Sequence, residues 1–275
     1  MKRRQKQLIN ESAQLRQRIA ELEASETERK WAEEELQHAL EKLRKALGGI
    51  IHAMALTVET RGPYIAGHQR RAANLARAIA TQMGPSEEQI DAIRMAGVVH
   101  DLGKVVVPTG ILNKPGRLTE NEFGIIQTHP QVGYDILKTI EFPWPVAQIV
   151  LQHHERMDGS GYPEGLVGKE IVLEARILAV ADVVEAMSSH RPYRPALGID
   201  EALEEISRNR GVLYDPNVVD ACLKVFTEKG FKFEYGDEES NFTKGHLSGS
   251  GSQPLPKSLA PTSDTSETMG VDGQV

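Results

Sequence analysis

The chain has 275 residues, a formal net charge of −7 and 40% hydrophobic residues, enough for one or two packed domains. The negative charge argues against a long nucleic acid as a partner, because binding a polyanion needs a basic surface. The single cysteine, Cys222, rules out an internal disulfide and fits a reducing compartment. No secretory signal follows Met1 and no run approaches the ~18 apolar residues of a membrane span, so we expect a cytoplasmic protein.

Residues 1–50 carry an apolar residue at every seventh position, which is the repeat of a coiled coil. Arg29 interrupts this row, and the companion heptad positions include the polar Ser12, Glu26 and Glu33. The row consists of Leu8, Leu15, Leu22, Leu36, Leu43 and Ile50. The pattern predicts a parallel homodimer stalk that passes a signal from an upstream module. A solvated single helix that merely precedes the next domain is the alternative.

Residues 51–235 show the apolar periodicity of a bundle of about eight helices, with no alternating strand pattern. Two capping boxes, Ser86 with Gln89 and Thr119 with Glu122, mark helix starts. The predicted helices cover 50–60, 64–83, 86–103, 119–140, 146–157, 172–189, 199–209 and 216–228. The fold class is therefore all-α.

Residues 236–275 consist mainly of Gly, Ser, Pro, Thr and acidic residues, with few large apolar side chains. Such a segment buries too little apolar surface to offset its ordering entropy, so a disordered tail is predicted. The chain thus divides into a coiled-coil helix over 1–50, a helical domain over 51–235 and this tail.

Seven potential metal ligands lie within or at the ends of apolar predicted helices in the central domain. They are His68, His100, Asp101, His129, His153, His154 and Asp182. A lone histidine on an apolar face is more often a satisfied core residue. An ionised carboxylate such as Asp182, within the apolar stretch 177–184, is costly unless it is paired or bound to metal. Several imidazoles together with two such carboxylates favour a metal centre.

Two pairs of neighbouring residues, His100-Asp101 and His153-His154, can each reach two ions or bridge them. Consecutive residues of a helix point about 100° apart, which suits a centre whose two ions lie roughly 3.5–4 Å apart. The ligands are imidazoles and carboxylates without thiolate, which favours two divalent ions such as Fe or Mn over structural zinc.

Two motifs resemble a known family. His100-Asp101 with Gly103-Lys104 resembles the HD superfamily of metal-dependent phosphohydrolases, and residues 153–163 are similar to the signature of its HD-GYP branch. The resemblance covers about residues 50–230 and extends to further matching stretches at 114–119, 129–130, 181–183 and 191–194. It implies an HD-type helical bundle that hydrolyses cyclic di-GMP to linear pGpG and often to GMP.

The resemblance also implies that the seven residues are the metal ligands. Some family members carry a glutamate four residues before the first histidine of the set and hold a third ion. Tyr64 stands at that position here. We therefore expect two ions, and the expectation of full conversion to GMP is weaker.

The chemistry assigns roles to residues near the ligands. Two ions would lower the pKa of a bridging water and withdraw charge from a phosphoryl oxygen, so that hydroxide attacks phosphorus in line. Asp101 is expected to bridge the ions and Lys104 to stabilise developing charge; pairing of Lys104 with a helix dipole is the alternative. Glu155 and Asp158 are candidates for orienting the histidine pair at 153–154.

Five residues are candidates for binding the substrate: Gly159, Gly161, Tyr162, Arg191 and Arg194. The glycines would let the backbone approach the ligand closely, and the tyrosine could stack on a base or bond a phosphate. The arginines have the fork geometry that suits the second phosphate. A tight turn and surface ion pairs are the respective alternatives.

The sequence thus predicts a two-metal phosphodiesterase that acts on cyclic di-GMP and is regulated through its N-terminal helix. One alternative is a hydrolase of the HD group that acts on another nucleotide or phosphate ester. The other is a catalytically weak receptor that binds cyclic di-GMP or a GGDEF-type partner.

Overall fold

The computed structural model describes residues 2–62, 67–189 and 196–234. Within these ranges the chain forms ten α-helices and two short 3₁₀ helices, and its only β-pairings are two isolated bridges. The predicted all-α class is confirmed. Two compact units divide the chain, with the boundary between His52 and Ala53. The predicted tail over 236–275 lies outside the described residues.

The first helix, α1, spans Lys2–Glu59. The helix predicted over 50–60 is therefore the end of this long helix. The described apolar side chains of the heptad row are more than half exposed; they are Leu15, Leu22, Leu36, Leu43 and Ile50. A row of large apolar side chains on the surface of one chain offers a face for another helix. None of the described helices is long and apolar enough to cross a membrane.

The remaining helices belong to the second unit. They are α2 (His68–Met83), α3 (Glu87–Val99), α4 (Thr109–Leu112), α5 (Glu120–Ile126), α6 (His129–Leu137), α7 (Val146–Gln152), α8 (Leu173–Ser188), α9 (Ile199–Arg208) and α10 (Pro216–Thr227). A 3₁₀ helix over Leu102–Val106, called the 3₁₀ segment below, follows α3, and another spans Gly168–Glu170. Helix α8 is buried along most of its length and packs against α2, α3, α7, α9 and α10. Its nearly continuous apolar sequence follows from this central position.

Both predicted capping boxes are present. The Ser86 hydroxyl accepts a hydrogen bond from the Gln89 amide at 3.3 Å, and the Ser86 amide donates to Gln89 Oε1 at 3.2 Å. Thr119 and Glu122 make the same reciprocal pair at the start of α5. These local contacts satisfy amide groups that a helix start leaves without partners.

Two further helix predictions, besides that over 50–60, were wrong in extent. The helix predicted over 119–140 is two helices, α5 and α6, because Pro130, the second residue of α6, has no amide hydrogen with which to continue the helical hydrogen bonds from α5. The helix predicted over 146–157 ends at Gln152. Beyond that point the buried Glu155 carboxylate binds backbone amides of the following loop, so tertiary contacts end the helix.

Candidate metal centre

The seven predicted ligands come from five places in the second unit, and each is at most 5% exposed. Helices α2 and α6 each begin with one of the histidines, and Asp182 lies inside α8. The other ligands directly follow α3 and α7: they are the pairs His100-Asp101 and His153-His154. Both pairs therefore begin at the C-cap of a helix, where the helices predicted over 86–103 and 146–157 were expected to continue. The structure brings all seven side chains together.

The first group of predicted ligands consists of His68, His100 and Asp101, which lie close enough to hold one metal ion. Asp101 Oδ2 lies 3.8 Å from His68 Nε2 and 3.7 Å from His100 Nε2. Asp182 faces the same place, because its Oδ1 lies 3.1 Å from His68 Nε2 and 3.6 Å from His100 Nε2. Two imidazoles and two carboxylates thus converge on one point.

The second group consists of His129, His153 and His154. The Nε2 atoms of His129 and His153 are 3.3 Å apart, and the ring centroids of His153 and His154 are 4.1 Å apart. Asp101 Oδ1 lies 3.5 Å from His129 Nε2. The two oxygens of Asp101 therefore face different groups, which is the arrangement expected of a carboxylate that bridges two ions.

Two buried atoms of this centre lack a hydrogen-bond partner among the described residues. They are His100 Nε2 and Asp101 Oδ1, one facing each group; Asp101 Oδ1 has an ion pair with the Lys104 ammonium but no hydrogen bond. A buried polar atom without a partner is costly, and a bound cation removes that cost. Together with the nitrogen and oxygen donors around them, these atoms fit divalent ions at both groups.

Three histidines are oriented by the carbonyl group three residues earlier. Nδ1 of His100, His129 and His153 lies 2.8, 2.7 and 2.6 Å from the carbonyl oxygens of Gly97, Ile126 and Val150, respectively. Because a carbonyl only accepts, each Nδ1 donates, and in the neutral imidazole each Nε2 then presents its lone pair to the centre. The end of each preceding helix thus fixes the ligating atom.

Burial and mutual charge set the protonation of the centre. Burial lowers the pKa of His129 to about 4, with a further contribution from Lys104, and burial with neighbouring imidazoles holds the pKa of His153 and His154 well below its usual range. Burial alone would lower the pKa of His100, but the nearby aspartates raise it to about 9. A ligating imidazole is neutral, so an ion bound at His100 would displace that proton.

Lys104 projects from the 3₁₀ segment toward the centre and is mostly buried. Its Nζ lies 2.8 Å from both oxygens of Asp101 and donates to Oδ2. Burial alone would raise the pKa of Asp101, but Lys104 and the imidazoles hold it well below its usual range. Gly103 is required beside it, because a Cβ there would lie 1.9 Å from the His129 carbonyl oxygen. The glycine lets the 3₁₀ segment approach α6 closely.

Glu185, which is fully buried on α8, was not predicted as a site residue from the sequence. Its carboxylate hydrogen-bonds to His68 Nδ1 and accepts from Arg71 Nε and Ser189 Oγ, each at 2.7 Å. The signal was available, because Glu185 lies in the same apolar helix as Asp182, and the cost of burying a carboxylate applies equally to it. Glu185 orients His68 as the helix carbonyls orient three other histidines.

Two acidic residues expected to orient the histidine pair have other contacts. Glu155 accepts hydrogen bonds from the amides of Glu164 and Leu166, at 2.7 and 3.0 Å. Asp158 accepts from the amide and hydroxyl of Ser160. Both therefore fix the loop that follows α7, which corrects the role predicted for them.

That loop places Tyr162 against the second group. The Tyr162 ring stacks on His154, with centroids 4.8 Å apart and planes 25° from parallel. Gly159 has a positive φ of 85°, and a Cβ at Gly161 would lie 2.4 Å from the Arg156 amide nitrogen. Packing within the loop itself thus requires both glycines.

A cleft of about 330 Å³ opens beside the second group. Its lining includes Phe123, Gln127, His154, Arg156, Gly161 and Tyr162. Two of the predicted substrate contacts therefore border one opening next to a predicted ligand. Arg191, Arg194 and Tyr64 lie outside the part of the chain that the structure describes.

Comparison with known proteins identifies the family. The family model for the HD domain matches residues 53–218. The cyclic di-GMP phosphodiesterase response regulator RpfG of Xanthomonas campestris is 46% identical over 173 residues, which cover 62% of this chain and 46% of that protein. A cyclic di-GMP phosphodiesterase of Thermotoga maritima is 42% identical over 191 residues, covering 69% and 51%, respectively.

The chain spans about half the length of these two relatives. Among solved structures, the HDG"Y"P protein Bd1817 from Bdellovibrio bacteriovorus superposes with a TM-score of 0.50 at 18% identity, covering 59% of this chain and 52% of that one. This likeness supports the fold. With its HD pair and the loop after α7, the chain belongs to the HD domain family, in the HD-GYP branch.

Proposed function

We propose that this protein is a metal-dependent phosphodiesterase that hydrolyses cyclic di-GMP to pGpG, to GMP or to both. The observation that carries the proposal is the Asp101 carboxylate, whose two oxygens face two separate groups of buried imidazoles. Two relatives more than 40% identical over the matched region are named cyclic di-GMP phosphodiesterases, which supports the choice of substrate.

Two divalent ions, Fe or Mn, would be held by the seven ligands of the two groups. His68, His100 and Asp182 would hold one, His129, His153 and His154 the other, and Asp101 both. The absence of thiolate from this set supports these metals over structural zinc. When bound, such ions supply a nucleophilic hydroxide near neutral pH and Lewis acidity toward a phosphoryl oxygen.

The chain's own residues would bind and orient the substrate. Lys104 places its ammonium group beside Asp101, where it can stabilise charge that develops on the phosphate. Tyr162 and the Gly161 backbone form a wall of the cleft against which a guanine base can lie. Gly159 shapes that loop, and Arg191 and Arg194 are proposed to bind the second phosphate.

Metal and product analysis on one preparation tests this proposal. Protein loaded anaerobically with Fe(II) or Mn(II) is expected to hold about two ions per chain and to release pGpG from cyclic di-GMP. Tight binding of cyclic di-GMP without product would favour the receptor. Faster hydrolysis of another nucleotide in a substrate panel would favour the other HD hydrolase.

We propose further that residues 1–50 form a signalling helix and pair as a parallel homodimer, with the hydrolase domain over 51–235 and a tail over 236–275. The exposed heptad row supports pairing. An upstream sensory module or a GGDEF-type partner would deliver the signal, and the cytoplasm would be the location.

Disulfide cross-linking tests the pairing. Cysteine at Leu15 or Leu36 is expected to yield covalent dimers on oxidation, because facing core positions of a parallel pair lie close together. Cysteine at Glu41, on the opposite side of the heptad, is the control and should not cross-link. Cys222 is buried and does not compete. Failure at both core positions would contradict the dimer.

A further inference from the structure

The end of α1 is attached to two segments that carry predicted metal ligands. Glu59, its last residue, accepts a hydrogen bond from the Gly67 amide at 3.1 Å, and Gly67 directly precedes His68. Arg61, two residues beyond the helix, reaches the 3₁₀ segment that follows Asp101 and bears Lys104. Residues 59–61 therefore contact the segment that precedes His68 and the segment that follows Asp101.

Arg61 makes several hydrogen bonds to the 3₁₀ segment and the turn after it. Its Nη1 donates to the carbonyl oxygen of Lys104 at 2.9 Å and to that of Val105. Its Nη2 donates to the carbonyl oxygen of Val107 at 2.9 Å and to Thr109 Oγ1 at 3.3 Å. The guanidinium thus binds three carbonyl groups within four residues.

These carbonyls lie at the end of a helix, where backbone acceptors have few partners within the helix. A positive charge is also favoured there by the orientation of the peptide dipoles. Only a guanidinium offers several donors in a fixed fork, so lysine cannot reproduce the contact. The Arg61 carbonyl in turn accepts from Asn113 Nδ2 at 2.9 Å, which fastens the end of α4 to the same residue.

We propose that Arg61 is a positioning residue that holds the 3₁₀ segment so that Lys104 and Asp101 keep their places in the metal centre. A movement of the last turn of α1 would then reach Lys104 through Arg61 and His68 through Glu59. This inference deepens the proposed phosphodiesterase function and rests on it for its kinetic consequences. Through these two contacts, helix α1 could change the rate of cyclic di-GMP hydrolysis.

Hydrogen exchange of the full-length, metal-loaded protein tests the contact without reference to turnover. In Arg61→Ala, amides over residues 102–113 are expected to exchange about tenfold faster than in the wild type, whereas amides of α8 keep their protection. Arg208→Ala is the matched control, because Arg208 pairs with Glu204 on the exposed surface of α9. Unchanged exchange over 102–113 would overturn the proposal.

Kinetics test the consequence for the site. Arg61→Ala is expected to lower kcat for cyclic di-GMP about tenfold, with KM and metal content within twofold of the wild type, since small displacements of catalytic groups are costly. Arg61→Lys should recover only part of the loss. A kcat within twofold of the wild type in Arg61→Ala would refute the positioning role.

The exchange and kinetic tests still give an answer if Arg61→Ala is unstable or if the wild type is inactive. Should Arg61→Ala lower Tm by more than about 10 °C, Arg61→Lys is judged by the same exchange and kinetic criteria. Should the wild type release no product from cyclic di-GMP, the proposed function fails, while the exchange measurement still decides whether Arg61 holds the 3₁₀ segment.

Discussion

Replacing Asp101 with alanine is expected to abolish turnover and to lower the metal content of the protein. Among the described side chains, Asp101 is the one whose oxygens face both groups of predicted ligands, at 3.7 Å from His100 Nε2 and 3.5 Å from His129 Nε2. Its loss removes a negative charge from between two cation sites and leaves Lys104 without its partner. We expect kcat to fall by at least about a hundredfold.

Metal analysis and kinetics on the same preparation check this expectation. His100→Ala should show the same two losses, because its Nε2 belongs to the first group. Asp135→Ala is the control; Asp135 lies on α6 with His129 but pairs with Lys138 at the surface. Asp101→Ala protein that kept both full metal content and near-normal turnover would exclude Asp101 as a bridging ligand.

The sequence predicted helices best where local chemistry decides them. The capping boxes at Ser86 and Thr119 satisfy their own helix starts, so they form independently of distant contacts. Helix α8 was predicted because a long apolar run fits a fully buried helix. The early end of α7 could not be predicted, because Glu155 binds amides of a loop that folds back on it.

The ligand set came from motif resemblance and from the cost of buried carboxylates, and the structure brings those side chains together. Their division into two groups could not be predicted from the spacing of the residues in the sequence, because it depends on how five separate segments pack together. The orientation of the two Asp101 oxygens toward different histidines likewise depends on tertiary structure. The role of Gly161 could not be predicted either. A Cβ at this position would clash with the Arg156 backbone, a contact that no local sequence pattern predicts.

The cost of burying a carboxylate, which singled out Asp182, also singles out Glu185. It lies three residues after Asp182 in an apolar helix, and its partner Arg71 lies three residues after His68. Helical spacing puts each pair on one helix face, so α2 and α8 can meet through both. A buried carboxylate and a buried guanidinium at matching positions predict an ion pair behind a metal ligand.

Replacing Glu185 with alanine is expected to destabilise the domain and to weaken metal binding separately. Arg71 is 5% exposed, and removal of the fully buried Glu185 carboxylate breaks a buried ion pair, which costs about 3–5 kcal/mol of the free energy of unfolding. His68 also loses the carboxylate that orients its ring, so affinity for the first ion should fall roughly 10- to 100-fold.

Two measurements on three variants separate these effects. Thermal unfolding with a chelator present reports the loss of the buried contacts of Glu185 without any contribution from bound metal, and Glu185→Ala should lower Tm by about 10 °C. Glu185→Gln keeps an acceptor for Arg71, so it should lose less stability while still weakening Mn(II) binding. Glu174→Ala is the control on the same helix, since Glu174 accepts only from Gln89 in a partly exposed contact and should cost less than about 1 kcal/mol. If Glu185→Ala left both the metal-free Tm and the Mn(II) affinity unchanged, the link from Arg71 through Glu185 to His68 would have no energetic role, and His68 would be oriented by other contacts.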